Sequence, residues 1–350
     1  MEKVKNLLKM ADFFNSFQML RFQKETEYRT FTGGLISIGI IITIIVAFAS
    51  MIINTVNRTI ISFTHNEQKG SVPSLTQIMA SPDDNFMFAV EVQGYNLSSE
   101  HRYFDVVFDQ IQSSYGSNYV HTPYSLEPCT KAHWAMLPSV VDSFEKIKAS
   151  NWLCPTLGTV ITLQGKFSSE TYNQFSVTLY PCSNSTDPSR PCAPIEEIEA
   201  YVASNGQWNY FNFYYVNSII NADQPQYKSY YLEDRNYIPF SSTLGAELDM
   251  YLTEIKITSD NSIWPFEDNS EDSVFYIPFG PILYPIAVDN TTCYATFYVM
   301  KDYANEFYIR QVQKIFVVFS FMGGLIGAIM ASLFVINAYT SFAFELALAL

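Results

Sequence analysis

Two stretches interrupt the mixed polar and apolar texture of the chain. Leu35 to Ile53 reads LISIGIIITIIVAFASMII, 19 residues without a charge. A helix of that length rises about 28 Å, close to the thickness of a bilayer's hydrocarbon core. Ile315 to Phe344 is the second, and its first 22 residues suffice to cross. Both predict transmembrane helices, over residues 33–56 and 314–344. The first fits a signal-anchor better than a cleaved leader, being too long for an h-region and lacking a small-x-small cleavage site.

Between them the period changes from helical to strand-like. Runs rich in Val, Ile, Thr, Tyr and Phe cover Phe86–Gln93, Phe104–Ile111, Thr159–Phe167, Phe175–Tyr180, Trp208–Val216, Leu252–Thr258, Ser273–Pro278 and Cys293–Met300. Pro, Gly, Asn and Asp separate them, which predicts a mainly antiparallel β domain over residues 57–313, with two stacked sheets as one layout. Ile195–Ala203 and Pro138–Ala149 are the expected helices of that domain. The fold class is thus two transmembrane α-helices flanking a large β domain. Tyr303–Lys314 leads into the second span almost without a linker.

Composition agrees. Hydrophobic residues make up 48% and charged residues 15% of the 350, against roughly 25% charged in an ordinary soluble domain. The formal charge of −14 is unevenly spread. Residues 1–31 carry six basic and four acidic side chains, residues 59–313 twelve basic and 29 acidic. So acidic a central domain repels phosphates, which excludes nucleic acid as a partner. Arg21, Lys24 and Arg29 precede the first span and only Arg58 follows it closely. By the positive-inside rule residues 1–32 are cytosolic, the β domain is extracytosolic, and residues 345–350 return to the cytosol. The expected location is an integral membrane protein of the secretory pathway or cell surface, with a ciliary membrane as one setting.

The sequons at Asn57, Asn96, Asn184 and Asn290 all fall between the spans, as expected of a glycoprotein with that topology. All five cysteines lie there too. Cys182 and Cys192 flank a Ser/Pro-rich loop and are the expected disulfide; an odd count leaves one thiol free or bonded to another chain.

Catalytic chemistry is hard to place. His65, His101, His121 and His133 have no zinc-site spacing, and no nucleophile elbow, Walker loop or dinucleotide fingerprint occurs. No cofactor and no enzymatic activity are expected. The acidic run Glu267–Asp272 lacks the glycine a calcium loop needs and reads as a solvated loop. The second span is more distinctive. Gly323, Gly327 and Ala331 are spaced four apart, with Gly324 beside them. Such rows let helix backbones approach closely, for packing between the two spans or between subunits; a pore-lining helix is the alternative. Neither span carries an internal charge, which argues against an ion-coupled carrier.

Several motifs occur together in order. Phe17 to Phe22 reads FQMLRF, and Tyr28 to Ser37 reads YRTFTGGLIS, a Y-x-T-x-x-G-G-x-x-S pattern. Cys154-Pro155 and Leu163-Gln164-Gly165 follow, then the Cys182–Cys192 loop, and Arg310-x-x-x-Lys314 before Gly323-Gly324. Over nearly the whole chain this resembles the two-span membrane proteins abundant in ciliates. The resemblance implies the topology above and brings no established activity. More remotely, the element before the first span is similar to that of ER–Golgi cargo receptors of the Erv41/Erv46 type. The Gly323–Ser332 stretch is similar to the second span of acid-sensing and epithelial sodium channels. The chain departs from that channel group in having only five cysteines and no N-terminal His-Gly element. The leading expectation is a non-enzymatic assembly or interaction subunit of a membrane complex. Its partners would be other membrane or extracellular proteins, or further copies of itself, within a lipid bilayer. A two-span trimeric channel subunit and a cargo receptor are the alternatives.

Overall fold

The computed structural model describes residues 16–22, 25–28, 31–70, 72–81, 86–97, 102–114, 119–165, 169–184, 190–203, 209–278, 282–288 and 293–349. In chain order the elements begin with β1 (Ser16–Phe22), β2 (Glu25–Tyr28) and α1 (Phe31–Val56). Next come β3 (Ile61–Lys69), β4 (Thr76–Met79), β5 (Phe88–Val92), β6 (Phe104–Ser114), β7 (Val120–Tyr124) and β8 (Leu126–Pro128). A helical stretch with α2 (Pro138–Ser143) precedes β9 (Leu153–Pro155), β10 (Val160–Leu163) and β11 (Thr171–Pro181). Then follow α3 (Ile195–Val202), β12 (Asn209–Ile220), β13 (Lys228–Phe240), β14 (Leu244–Asp260), β15 (Asn269–Tyr276) and β16 (Ile282–Ala287). The chain closes with β17 (Ala295–Val312) and α4 (Ile315–Ala349). It divides into two units, residues 1–62, 259–269 and 311–350, and residues 63–258 with 270–310.

The first unit holds both apolar helices. Gly34–Val56 and Ile315–Val335 are long and apolar enough to cross a bilayer, with mean hydropathies of 2.8 and 2.2. The helices meet along one stripe each. On α4 the stripe is Val318, Met322, Leu325 and Ile329, at alternating spacings of four and three. Val318 and Met322 are buried, and Phe319 lies 5.7 Å from Phe48 of α1 between ring centroids. Leu325 and Ile329 share a groove with Ile36, Gly39, Ile40 and Thr43. α4 runs on to Ala349, beyond the expected end of the span at residue 344.

The second unit is a layered β structure. A large sheet has the order β15-β14-β17-β11-β6-β7, with β16 also on β14 and β3 also on β17. A smaller sheet has the order β13-β12-β5-β9-β8. The pairings of β11 with β6 and β17, and of β12 with β5 and β13, are antiparallel. Strand alternation puts Phe175, Val177 and Leu179 of β11 on one face, opposite Phe108 of β6 and Phe297 and Val299 of β17. That face joins Phe88, Val90, Phe211 and Phe213 of the smaller sheet in the main core. Phe88 stacks on Phe175 and Phe213 at centroid distances of 5.4 and 5.1 Å. The smaller sheet's other face is covered by a helical layer in which Trp134, Val140, Phe144 and Trp152 pack on Met87, Ala89 and Val216.

The expected helix over Pro138–Ala149 is shorter. It ends at Ser143 and gives way to turns, which close at Lys148 in a left-handed conformation at φ 53°. The acidic run Glu267–Asp272 is not wholly a solvated loop. Its last four residues belong to β15, where Asp272 pairs with Lys228 and accepts from the Tyr227 hydroxyl at 3.3 Å.

Candidate functional site

The large sheet has a second face. Its residues are the ones the core skips, and the registers say which meet. Gln174 of β11 lies across from Ile111 of β6, and Ile111 across from His121 of β7. Ser176 lies across from Tyr298. On β14 the same alternation buries Leu248, Met250 and Leu252 in the core and turns Asp249 and Tyr251 the other way. Ile111, His121, Gln174, Asp249, Tyr251 and Tyr298, with Tyr119, Tyr172, Met300 and Tyr303, line an open cavity of about 780 Å³.

Gly165 shapes one wall. Its φ is +68°, and a Cβ there would stand 2.0 Å from the carbonyl oxygen of Thr171. No other residue fits so close to the neighbouring backbone. Lys301 borders the cavity, but alternation gives it the core-facing side of β17. Its Nζ donates to Glu254 Oε2 at 2.9 Å with the side chain fully buried.

The cavity is therefore acidic and aromatic. Burial pushes the hydroxyls of Tyr172, Tyr251 and Tyr298 up, so they stay protonated donors. Burial, and then the neighbouring Glu247, raises the Asp249 carboxyl above the usual carboxylate range. The Tyr172 hydroxyl donates to Gln174. His121 Nδ1 lies 3.6 Å from Asp109. Flat rings, hydroxyl donors and a carboxylate make a binding surface for a polar or cationic group. A phenol held protonated is a poor nucleophile.

The histidines stand apart. His65 stacks on Tyr308 at 4.5 Å and meets Glu306 at 3.1 Å. Buried His133, within a 3-10 helix over Lys131–Trp134, bonds Thr130 and Glu127. His101 lies outside the described residues. Among the described residues, no three His, Cys, Asp or Glu stand together as a metal site would require.

Cys182 and Cys192 are disulfide-bonded. A buried ion pair supports their loop: Arg102 meets Asp105 at 3.1 Å, and Asp105 accepts the Ser183 N–H at 2.9 Å. A second bond joins Cys129 to Cys154, and Cys293 is free. Sequence reading did not single out the second pair, since Cys129 carries no flanking signal. Asn57, Asn96 and Asn184 are exposed; Asn290 lies outside the described residues. The cavity was not foreseen either, because its side chains come from five strands.

The small residues of α4 do not pack against α1. A Cβ added at Gly323, Gly324 or Gly327 would meet nothing within 4 Å, and Ala331 is exposed. Of the two arrangements expected of the row, packing between the spans or between subunits, the contact with α1 is made by other residues. The larger side chains of the opposite stripe make that contact and hold the small row open.

These features define a class: a disulfide-bonded β domain set, along the chain, between two helices of membrane-spanning length. Within it, the family described as "Uncharacterised 80 kDa protein N-terminal domain" matches residues 81–302. That is well over half of the chain, and the chain belongs to this family. No curated protein matches it. Among solved structures, a proton-activated chloride channel is similar at a TM-score of 0.25 and 7% identity, covering 89% of this chain and 97% of that one. Erv41p is similar at 0.21 and 12% identity, covering 70% and 99%. Both likenesses are remote. The resemblance to the ciliate two-span proteins rests on sequence motifs alone.

Proposed function

We propose that the protein is a non-enzymatic membrane protein that acts as an assembly or interaction subunit. Its helices α1 and α4 cross a bilayer, with the N-terminus cytosolic and the acidic β domain on the extracytosolic side. The observation that carries this reading is the open row Gly323, Gly327 and Ala331. A helix that is charge-free from Ile315 to Phe344 and leaves its glycines uncovered offers close backbone approach to another helix. The aromatic, acidic cavity favours binding over covalent chemistry and adds a recognition surface on the β domain.

The test is the mass and copy number of the full chain extracted in a mild native detergent, beside Gly327→Leu. Assembly with partners or further copies, lost on Gly327→Leu while the β domain stays folded, is the expected result. A clean monomer would refute the proposal. The second reading is a subunit of a two-span trimeric ion channel, and the same open, uncharged row favours it, since small residues suit a narrow axis. A homotrimer that conducts, with currents sensitive to substitution at Gly327, would put that reading first.

A further inference from the structure

Between β14 and β15, within the first unit, lies a short loop, Asn261–Asp268, whose sequence is NSIWPFED. Asp260 gathers its ends. One carboxylate oxygen accepts the backbone N–H groups of Ser262 and Asp268, both at 3.1 Å. The other accepts Lys314 Nζ at 2.5 Å. Lys314 also donates to the carbonyls of Ser262 at 2.9 Å and Phe266 at 3.4 Å. The Asn261 N–H donates to the Asp268 carbonyl, and the Ile315 N–H, first in α4, donates to the Ile263 carbonyl at 2.8 Å. The loop is closed on itself and tied to the start of the helix.

Its apolar side chains point away from these bonds. Trp264 is 59% exposed and Phe266 80% exposed, with Pro265 between them. That exposure is costly in water and unusual for two neighbouring aromatics. Their level is set by the helices. Thr55, at the end of α1, donates to Gln313 at 3.4 Å, and the Gln313 N–H donates to the Ile60 carbonyl at 3.1 Å. So the end of one apolar helix, the start of the other and the aromatic loop lie at one height.

We propose that the loop Asn261–Asp268 is a membrane-interface anchor, with Trp264 and Phe266 seated at the headgroup–acyl boundary of the bilayer that α1 and α4 cross. The inference rests on those helices being membrane spans. Lipid is the occupant for three reasons. The loop is bonded to the first residue of α4, whose next two residues, Phe316 and Val317, are exposed and apolar as well. The backbone groups at both ends of the loop and the carbonyls of Ser262, Ile263 and Phe266 are bonded to Asp260, Lys314, Ile315 or each other, which suits a region of falling dielectric. The cation that binds the loop, Lys314, is neutralised by Asp260. Trp suits this boundary because its ring is apolar and its N–H can reach a headgroup. Exposed Glu267 and Asp268 favour zwitterionic over anionic lipid. The anchor would set how deep α4 starts and resist its sliding along the membrane normal.

The experiment places the full chain in nanodiscs of phosphatidylcholine, with acyl chains either plain or brominated near the glycerol end. The Trp264 signal is the difference between wild type and Trp264→Phe; Trp134, Trp152 and Trp208 are common to both and cancel in that difference. A ring seated roughly 5–10 Å into the boundary should lose about half of its emission or more to brominated lipid, and little to aqueous iodide. Moving the reporter by Phe266→Trp in the Trp264→Phe background should give the same result. Quenching by iodide and not by bromine would put the loop in open water and overturn the proposal. Quenching by neither would mean that protein covers it, which also overturns it. Failure of every variant to enter nanodiscs would instead strike at the membrane spans, and the anchor with them.

Discussion

Lys301→Met is the sharpest test of the packing described for the β domain. The Lys301 side chain has 0% exposure, and its partner Glu254 has 10%. The carboxylate oxygen that accepts Lys301 also accepts the Thr76 hydroxyl at 2.9 Å. Lys256 stands 3.8 Å from the other oxygen, but it is half exposed and screened. Met keeps the stem's bulk and removes the charge. The variant then buries a carboxylate with a hydroxyl as its main support. Removing one partner of a buried pair costs about 3–5 kcal/mol. For a domain of this size, that lowers Tm by roughly 10 °C. In the wild type burial pushes Glu254 up, but the charge and hydrogen bond of Lys301, with the Thr76 hydroxyl and the Lys256 charge, together outweigh it and hold the pKa below the usual value. The pair's contribution is therefore full above the unfolded carboxylate pKa and is lost as pH falls through the lower, folded one. In the variant burial dominates and the folded pKa rises. Its penalty is full above that raised value and shrinks as pH falls through it. The assay is thermal unfolding of the detergent-solubilised full chain, followed by tryptophan fluorescence at neutral and mildly acidic pH. The gap between wild type and variant should narrow on acidification, and adding Glu254→Gln should recover most of the loss at neutral pH. A variant within about 1 kcal/mol of wild type, or a gap independent of pH, would refute the reasoning.

Removing the Cys129–Cys154 bond by the double Ala variant should cost about 3 kcal/mol on the chain-entropy account. Removing Cys182–Cys192, with a separation of 10 residues against 25, should cost somewhat less; urea midpoints of the two double variants check the order. Asp249→Asn should stabilise the chain at neutral pH. The raised folded pKa of Asp249 means that its ionised form costs stability above that value, a cost absent below the unfolded pKa. The Tm gain should fade as pH drops through this range, and a gain that persists at low pH would contradict it.

The chain's local patterns determined the two apolar helices and the strands β5, β6, β11, β12 and β17. Membrane length is a property of contiguous residues, and a strand buried on one or both faces shows its character within a few residues. The Cys182–Cys192 pair is local in the same sense. Other elements drew their structure from distant partners. β13 reads KSYYLEDRNYIPF, too charged to signal a strand, and is one because it pairs along most of β12. β3 is largely polar and is held as a strand by β17. Cys129 and Cys154 meet because β8 pairs with β9. The cavity depends wholly on register. Strand alternation is exact to one residue, so only the pairing of β6, β7, β11, β14 and β17 could bring His121, Gln174, Asp249 and Tyr298 to one face. On α4 the sequence offered two stripes, one of small residues and one of large. Both have helical spacing, and only the shape of α1 decided that the large stripe packs and the glycines stay open.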